Sequence, residues 1–244
     1  MKRICVIGLG DMGSGLAKNL IKAGFDVAGF DLSPNRLAAF EAMGGRPAIS
    51  VADAGQGAEA AFVMVMNGDQ AKAVILGEDG LAAHMEPGGI ILLTATIRPR
   101  EAVEIGNAMD GTGIHLIDTP VSGGFPGAQG GTLTMMASAP DAVIAQVRPA
   151  MEAVSATIHH IGTAPGMGQT VKACLQTLIG SIFSATFEAS VLAAKAGVKG
   201  EHLFKVFSTS GAGCGCTNTA LENIIDRKFA NTGSGIGTMH KDLT

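Results

Sequence analysis

Short apolar runs alternate with amphipathic segments along the first two thirds of the chain. The runs are rich in Ile, Val, Leu and Ala and cover residues 3–8, 26–31, 60–66, 89–94 and 114–118. Apolar runs of this length are typical of strands buried on both faces of a parallel sheet. Residues 12–23 and 34–43 follow the helical period instead, and Gly24 and Ser33-Pro34 supply the expected end and start signals. Strands that alternate with helices predict a doubly wound, Rossmann-like α/β sheet with helices on both faces.

The pattern changes near residues 162–168. Before this point, residues 132–138 and 157–161 alternate apolar with polar positions and predict two half-exposed strands. After it, residues 169–196, 201–207 and 219–227 show only the helical period. We therefore predict a Rossmann-like domain over residues 1–164 and an all-helical domain over residues 165–244. Because residues 242–244 resemble the first turn of another helix, we expect the helical domain to be truncated.

Composition excludes several classes of protein. Hydrophobic residues make up 47% of the chain, and 17 basic against 21 acidic residues give a net charge of −4. Such a chain is too apolar for disorder and too poor in clustered Lys and Arg for a nucleic-acid binder. The longest uncharged apolar stretch lies between Lys172 and Glu188, too short to cross a bilayer. We expect a cytoplasmic protein without a membrane partner, and the spacing of its His and Cys residues predicts no metal site.

Glycine is the unusual residue: it makes up 35 of the 244 residues, about 14%, whereas its usual share is about 7%. Its first cluster, Gly8-Leu9-Gly10-Asp11-Met12-Gly13, follows a predicted strand and begins a predicted helix, and Asp31 ends the second strand. This combination is typical of a dinucleotide-binding loop, in which backbone N–H groups approach a pyrophosphate. An acidic residue at Asp31 would accept hydrogen bonds from the ribose diol and repel a 2′-phosphate. We predict NAD, rather than NADP, as the cofactor.

A second glycine cluster follows the strand that ends at Asp118. Residues 118–124 read Asp-Thr-Pro-Val-Ser-Gly-Gly, and residues 127–133 read Gly-Ala-Gln-Gly-Gly-Thr-Leu. We interpret this segment as a glycine-rich loop in which the Ser122 hydroxyl and exposed N–H groups suit a carboxylate. The carboxyl end of a strand in a nucleotide-binding sheet is a usual place for substrate.

The third segment is the start of the long helix. Positions 168, 172, 176, 180 and 184 share one helical stripe and carry Gly, Lys, Gln, Gly and Ser, while the other faces are apolar. Lys172 is therefore either a snorkelling side chain or a desolvated functional amine. The small residues on either side leave room for a ligand over Lys172 and Gln176, which favours the functional interpretation.

These motifs, followed by Lys241-Asp242-Leu243, occur in an order that resembles the β-hydroxyacid dehydrogenase family typified by 3-hydroxyisobutyrate dehydrogenase. The resemblance implies NAD-dependent oxidation of a short hydroxy acid with Lys172 as general acid/base. It implies carboxylate recognition by Ser122, Gly123 and Gly124. It also implies that Met66, Asn67, Thr96 and Lys241 contact the cofactor, in addition to the glycine loop and Asp31.

One position departs from the family pattern. Gln176 stands where the family usually has Asn, one turn after the catalytic Lys, and would bind the substrate hydroxyl. Gln here is more similar to the L-threonate dehydrogenase branch, although 3-hydroxyisobutyrate and tartronate semialdehyde-type substrates fit most of the remaining pattern. The resemblance also supports truncation, since family members continue past Lys-Asp-Leu.

Three other functions are alternatives to a hydroxy acid dehydrogenase. An NAD-responsive regulator or structural subunit would bind NAD without turnover. A 6-phosphogluconate-type dehydrogenase would need a basic phosphate pocket, and an imine reductase would typically lack Lys172. Because an incomplete helical domain leaves apolar surface to cover, we expect a homo-oligomer, a dimer or tetramer.

Overall fold

The computed structural model describes residues 1–230 and 236–243, without the side chains of residues 238 and 243. Their contacts divide the chain into two compact units, Met1–Lys172 and Ala173–Thr244. This division falls inside a long helix, a few residues after the boundary predicted at residue 164.

The described part of the first unit is built on one sheet of nine strands. They are β1 Arg3–Ile7, β2 Asp26–Phe30, β3 Arg46–Pro47, β4 Ala60–Val63, β5 Ile90–Leu93, β6 His115–Asp118, β7 Val121–Ser122, β8 Leu133–Ser138 and β9 Ser155–Gly162. Their order is β3-β2-β1-β4-β5-β6-β8-β7, with β9 paired to β8. Strands β1 to β6 pair in parallel, whereas β8 runs antiparallel to β6 and β7. The predicted doubly wound, mostly parallel sheet is confirmed.

Helices cover both faces of this sheet. They are α1 Asp11–Lys22, α2 Pro34–Ala42, α3 Val51–Gly55, α4 Gly68–Leu76, α5 Leu81–His84, α6 Pro99–Met109, α7 Gly124–Gly130 and α8 Asp141–Val154. A hydrophobic core lies on each face of the sheet. Alternate residues of β1 pack into different cores, Ile4 and Val6 into one and Cys5 and Ile7 into the other. This explains the continuous apolar runs, because side chains of a strand alternate between two buried faces.

The second unit is helical over its described residues. Helix α9 spans Met167–Lys195 and so begins in the first unit, followed by α10 Gly200–Ser208, α11 Gly215–Ile225 and α12 Ile236–Leu243. The all-helical character predicted for this region is confirmed.

Helix α9 is more apolar than the sequence reading implied. Its 29 residues include an 18-residue window of mean hydropathy 1.4, of which only 6% is buried. By length and composition alone this helix could cross a membrane, whereas the uncharged stretch between Lys172 and Glu188, on which the expectation was based, is only part of it. Large side chains such as Leu178, Val191 and Leu192 are exposed on it.

Three local features differ from the sequence prediction. Strand β4 ends at Val63, earlier than predicted, because the chain turns into the start of α4. Strand β8 is buried rather than half-exposed, because it lies between β6 and β7 on one side and β9 on the other. The segment predicted as a glycine-rich loop contains the short helix α7.

Candidate active site

The residues of the first unit that are predicted for the cofactor lie along one edge of the sheet. Strands β2, β1, β4, β5 and β6 are adjacent and parallel in that order, so their carboxyl ends share this edge. From one end to the other, the segments after them contain Asp31, the glycine loop, Met66 and Asn67, and Thr96. Neighbouring strands lie about 4.8 Å apart, so the row from β2 to β5 extends over roughly 14 Å. An elongated ligand can contact each segment in turn.

Two of the three glycines in the first loop are required by packing. At Gly8, where φ is +89°, a Cβ would lie 2.3 Å from the Met64 carbonyl oxygen. At Gly13 a Cβ would lie 1.8 Å from the Gly8 carbonyl oxygen. Both glycines therefore permit the tight turn and the close contact between α1 and β1.

Gly10 is different, because the protein itself does not require it. A Cβ at Gly10 would meet nothing nearer than the Arg36 side chain, 3.8 Å away, and φ is an ordinary −66°. Gly10 precedes α1, and no side chain of the described residues caps this helix start. Bare backbone beside an uncapped helix N-terminus suits the close approach of a phosphate group. These residues fit a dinucleotide.

Asp31 follows β2 and is bound to the glycine loop, which follows the neighbouring strand β1. Its Oδ2 accepts a hydrogen bond from the Leu9 N–H at 2.8 Å, and its Oδ1 accepts one from the Ser33 N–H at 2.8 Å. Arg36 Nη1 lies 3.4 Å from the same carboxylate, on a side chain that is 54% exposed. The predicted ribose-binding acid is thus fixed in place, with a cation beside it.

Met66 and Asn67 lie at the start of α4. The Asn67 side chain accepts a hydrogen bond from the Gln70 N–H at 2.9 Å, and Gln70 Oε1 accepts one from the Met66 N–H at 3.0 Å. This reciprocal capping fixes the segment that follows β4. The Asn67 side-chain oxygen therefore has a structural role, while the Met66 side chain is exposed.

The Ser122 segment continues the same end of the first unit. Ser122 belongs to β7 and pairs with Thr134 of β8. Gly123 and Gly124 are exposed and have φ of +128° and +58°, values that a residue with a side chain rarely adopts. The following α7 packs on α1, where the Asn19 side chain donates to the Ala128 carbonyl at 2.8 Å.

Lys172 is the last residue of the first unit and is only 6% exposed. The start of its helix is fixed by Asp118, a fully buried residue at the end of β6. Asp118 Oδ2 accepts hydrogen bonds from the Gly166 N–H at 2.8 Å and the Gln169 N–H at 3.2 Å. Burial raises the pKa of Asp118 to about 6, against the lowering effect of these hydrogen bonds.

Thr96 is half-buried in the segment after β5, and Gln169 of α9 contacts the residues on both sides of it. Gln169 Nε2 donates to the Ala95 carbonyl at 3.0 Å, and the Ile97 N–H donates to Gln169 Oε1 at 3.1 Å. Sequence reasoning missed the roles of Asp118 and Gln169, although a buried acid at a strand end and an amide beside Lys172 were visible signals.

Gln176 and Lys241 belong to the second unit, where both are connected to Asp242. Gln176 Nε2 donates to Asp242 Oδ2 at 2.7 Å, and Lys241 Nζ lies 2.7 Å from Asp242 Oδ1. Asp242 was not among the predicted site residues, although it stands beside Lys241 in the quoted motif. Its carboxylate orients the Gln176 amide.

No group of three or more His, Cys, Asp or Glu side chains within residues 1–230 and 236–243 could hold a metal ion.

Two family models match the chain in succession. The NAD binding domain of 6-phosphogluconate dehydrogenase matches residues 3–162. The NAD-binding domain of NADP-dependent 3-hydroxyisobutyrate dehydrogenase matches residues 166–244. The prediction of an NAD-binding protein is thereby confirmed.

Relatives that match over most of the chain are named as hydroxy acid dehydrogenases. L-threonate dehydrogenase of Escherichia coli strain K12 is 34% identical over 242 residues, covering 98% of this chain and 79% of that protein. The 3-hydroxyisobutyrate dehydrogenase of Pseudomonas aeruginosa is 35% identical over 213 residues, covering 87% of this chain and 71% of that protein. A crystal structure described as 3-hydroxyisobutyrate dehydrogenase from Salmonella typhimurium matches with a TM-score of 0.89 and 31% identity, covering 100% of this chain and 85% of that one.

Proposed function

The chain belongs to the β-hydroxyacid dehydrogenase family typified by 3-hydroxyisobutyrate dehydrogenase, and we propose that its own substrate is a four-carbon polyhydroxy acid of the L-threonate type. Two facts support this choice within the family. Relatives matched over 98% of the chain are named L-threonate dehydrogenase. The resemblance described above also implies that Gln176 replaces an Asn usual in the family, and a longer side chain there would suit a different arrangement of substrate hydroxyls.

The row of segments at the sheet edge is proposed to hold NAD. The N–H groups of residues 8–13 would contact the pyrophosphate, Asp31 the adenosine ribose, and Met66, Asn67 and Thr96 the nicotinamide half, with Lys241 contributing from the second unit. Bound NAD supplies the hydride acceptor for the carbon that carries the substrate hydroxyl. The bare backbone at Gly10 supports this assignment, because nothing in the protein fills the space that a side chain there would occupy.

Lys172 is proposed to move the proton. As the hydroxyl is oxidised, its proton passes to the Lys172 amine, and in reduction the ammonium returns it. A free lysine amine has a pKa of about 10.4 and is protonated at neutral pH, so a base of this type needs burial or a nearby positive charge. The observation that carries the proposal is the 6% exposure of Lys172, directly after a helix start fixed on the sheet edge.

Ser122, Gly123 and Gly124 are proposed to bind the substrate carboxylate. Gly123 and Gly124 are exposed, so their backbone N–H groups are accessible to an anion. Gln176 would hold the substrate hydroxyl, and Asp242 would keep its amide in one orientation.

Self-association is part of the proposal. The exposed apolar side chains of α9 include Leu178, Phe187, Val191 and Leu192. Exposed apolar surface of this kind is typical of a protein interface, and we propose that a second copy of the chain covers these side chains in a cytoplasmic homo-oligomer.

A substrate panel tests the proposed function. The purified protein is mixed with NAD⁺ and L-threonate, 3-hydroxyisobutyrate, L-serine or D-glycerate, and NADH formation is followed by absorbance. We expect the highest kcat/KM with L-threonate. A clear preference for 3-hydroxyisobutyrate would assign the chain to that branch of the family, and NADH binding without turnover on any of the acids would favour a regulatory protein.

A further inference from the structure

The side chain of Gln169 bridges the backbone on both sides of Thr96. Its amide nitrogen donates to the Ala95 carbonyl at 3.0 Å, and its amide oxygen accepts from the Ile97 N–H at 3.1 Å. Gln169 is 1% exposed, and Ala95 and Ile97 are buried as well. The amide therefore replaces the peptide group that an adjacent strand would offer to this segment.

Few side chains can make this bridge. The contact needs a neutral group with one donor and one acceptor, which only Asn and Gln supply as a carboxamide. An apolar replacement would leave a buried carbonyl and a buried N–H without partners, a costly arrangement that the 95–97 segment would relieve by moving.

Gln169 is itself held in place by Asp118 at the end of β6. Its backbone N–H donates to Asp118 Oδ2 at 3.2 Å, and the same oxygen accepts from the Gly166 N–H at 2.8 Å. The adjacent Gly168 lies so near the sheet that a Cβ would be 2.4 Å from the Met136 carbonyl oxygen. The first turn of α9 therefore has little freedom to shift, and Lys172 lies three residues beyond Gln169 on it.

From these contacts we infer that Gln169 is a positioning residue, which fixes the Thr96 segment relative to the helix turn that carries Lys172. The inference rests on the proposed function, because it takes Thr96 as a contact of the nicotinamide half of NAD. Gln169 touches neither cofactor nor substrate in this account. It acts through Thr96, and its loss should affect the cofactor site and the hydride-transfer step together.

A double-mutant cycle tests this inference. Gln169→Met, Thr96→Ala and the double variant are compared by fluorescence titration with NADH and by steady-state turnover of L-threonate with NAD⁺. Gln146→Met is the matched control, since the Gln146 amide donates to the Ala142 carbonyl on an exposed face of α8.

We expect Gln169→Met to raise the dissociation constant of NADH about tenfold and to lower kcat roughly 10²-fold, as a displaced site segment does. Because Gln169 acts through Thr96, the double variant should bind NADH no more weakly than the weaker-binding single variant. The control should stay within about twofold of the wild type in both measurements.

Two results would overturn the inference: Gln169→Met binding NADH within about twofold of the wild type, or fully additive losses in the double variant. If Gln169→Met does not fold, Gln169→Glu replaces it, because it keeps the shape and the acceptor for Ile97 but not the donor for Ala95. Failure of both variants to fold would make Gln169 a folding residue and end the inference. NADH titration needs no substrate, so inactivity of the wild type on L-threonate would count against the proposed function alone.

Discussion

Two carboxylates at the same end of the first unit have contrasting surroundings. Asp31 receives two backbone hydrogen bonds and has the Arg36 guanidinium 3.4 Å away. Asp118 also receives two backbone hydrogen bonds, but it is fully buried, and its pKa is raised to about 6. Desolvation opposes ionisation of Asp118 more strongly than its hydrogen bonds favour it. Asp31 thus lies beside a cation at the sheet edge, whereas Asp118 holds backbone N–H groups inside the protein.

The raised pKa of Asp118 predicts a pH-dependent stability. A carboxyl whose pKa rises from 3.8 to about 6 on folding binds its proton more tightly in the folded state. Its contribution to the free energy of unfolding is full below pH 3.8 and is lost as the pH rises towards 6. Asp118→Asn removes this titration. The stability of the wild type relative to the variant should fall by about 3 kcal/mol between these limits, measured by urea unfolding. A difference that stays constant with pH would contradict the assignment.

Arg36 beside Asp31 predicts how cofactor preference can be changed. We expect the Asp31 carboxylate of the wild type to repel a 2′-phosphate, and the same carboxylate lies 3.4 Å from Arg36 Nη1. Asp31→Asn keeps hydrogen-bonding capacity but removes the charge, so we expect the ratio of kcat/KM for NAD to that for NADP to fall roughly tenfold or more. In the double variant Asp31→Asn, Arg36→Ala, kcat/KM with NADP should fall again, because the cation beside the 2′-phosphate is lost. An unchanged ratio in Asp31→Asn would show that Asp31 does not determine this preference.

At the scale of elements, the glycine loop and α7 show how far a motif predicts structure. The loop was predictable because its glycines follow an apolar strand and precede a helix. Helix α7 was not predictable, because three of its seven residues are glycine and one is proline, both of which have poor helix propensity. Contacts with α1 stabilise it instead, at Gly15, where a Cβ would be 2.6 Å from the Ala128 carbonyl, and through Asn19. Such long-range contacts leave no local pattern.

Substitutions in the first loop should separate the packing role of glycine from its ligand role. Gly13→Ala places a Cβ against the Gly8 carbonyl and should destabilise the fold by about 1–3 kcal/mol. Gly10→Ala meets no such obstacle, so its melting temperature should match that of the wild type while its affinity for NADH falls at least about tenfold. Thermal unfolding and NADH titration of both variants check this. Normal NADH affinity in Gly10→Ala would contradict a pyrophosphate at this position.

At the scale of the whole molecule, the sequence predicted the sheet well but did not predict the contacts that hold the segments of the candidate site. Strands β1, β4 and β5 were found because they are apolar on both faces, whereas the two-residue β3 was too short and polar to recognise. The bridge from Gln169 to Ile97 was invisible because its partners are 72 residues apart and one of them is backbone. Motifs identify residues that meet ligands, whereas residues that hold those segments in place emerge only from the fold.

The exposed apolar side chains of α9 predict self-association. Burying this apolar surface against a second copy would remove it from water, at about 25 cal/mol for each Å² covered. Light scattering after gel filtration should therefore give a dimer or tetramer. Leu192→Glu should shift the distribution towards the monomer, because Leu192 is 71% exposed on α9 and a charge there opposes burial. A monomeric wild type, or its recovery in the membrane fraction, would contradict the proposed oligomer.

Proton transfer by Lys172 is the central step of the proposed reaction, and one comparison tests it directly. The wild type and Lys172→Ala are assayed for NADH formation from L-threonate and NAD⁺, with NADH affinity measured in parallel. We predict turnover by the wild type, at least about 10²-fold less by the variant, and similar NADH affinity in both. Activity of Lys172→Ala within about tenfold of the wild type would exclude the buried amine as the proton-transfer group.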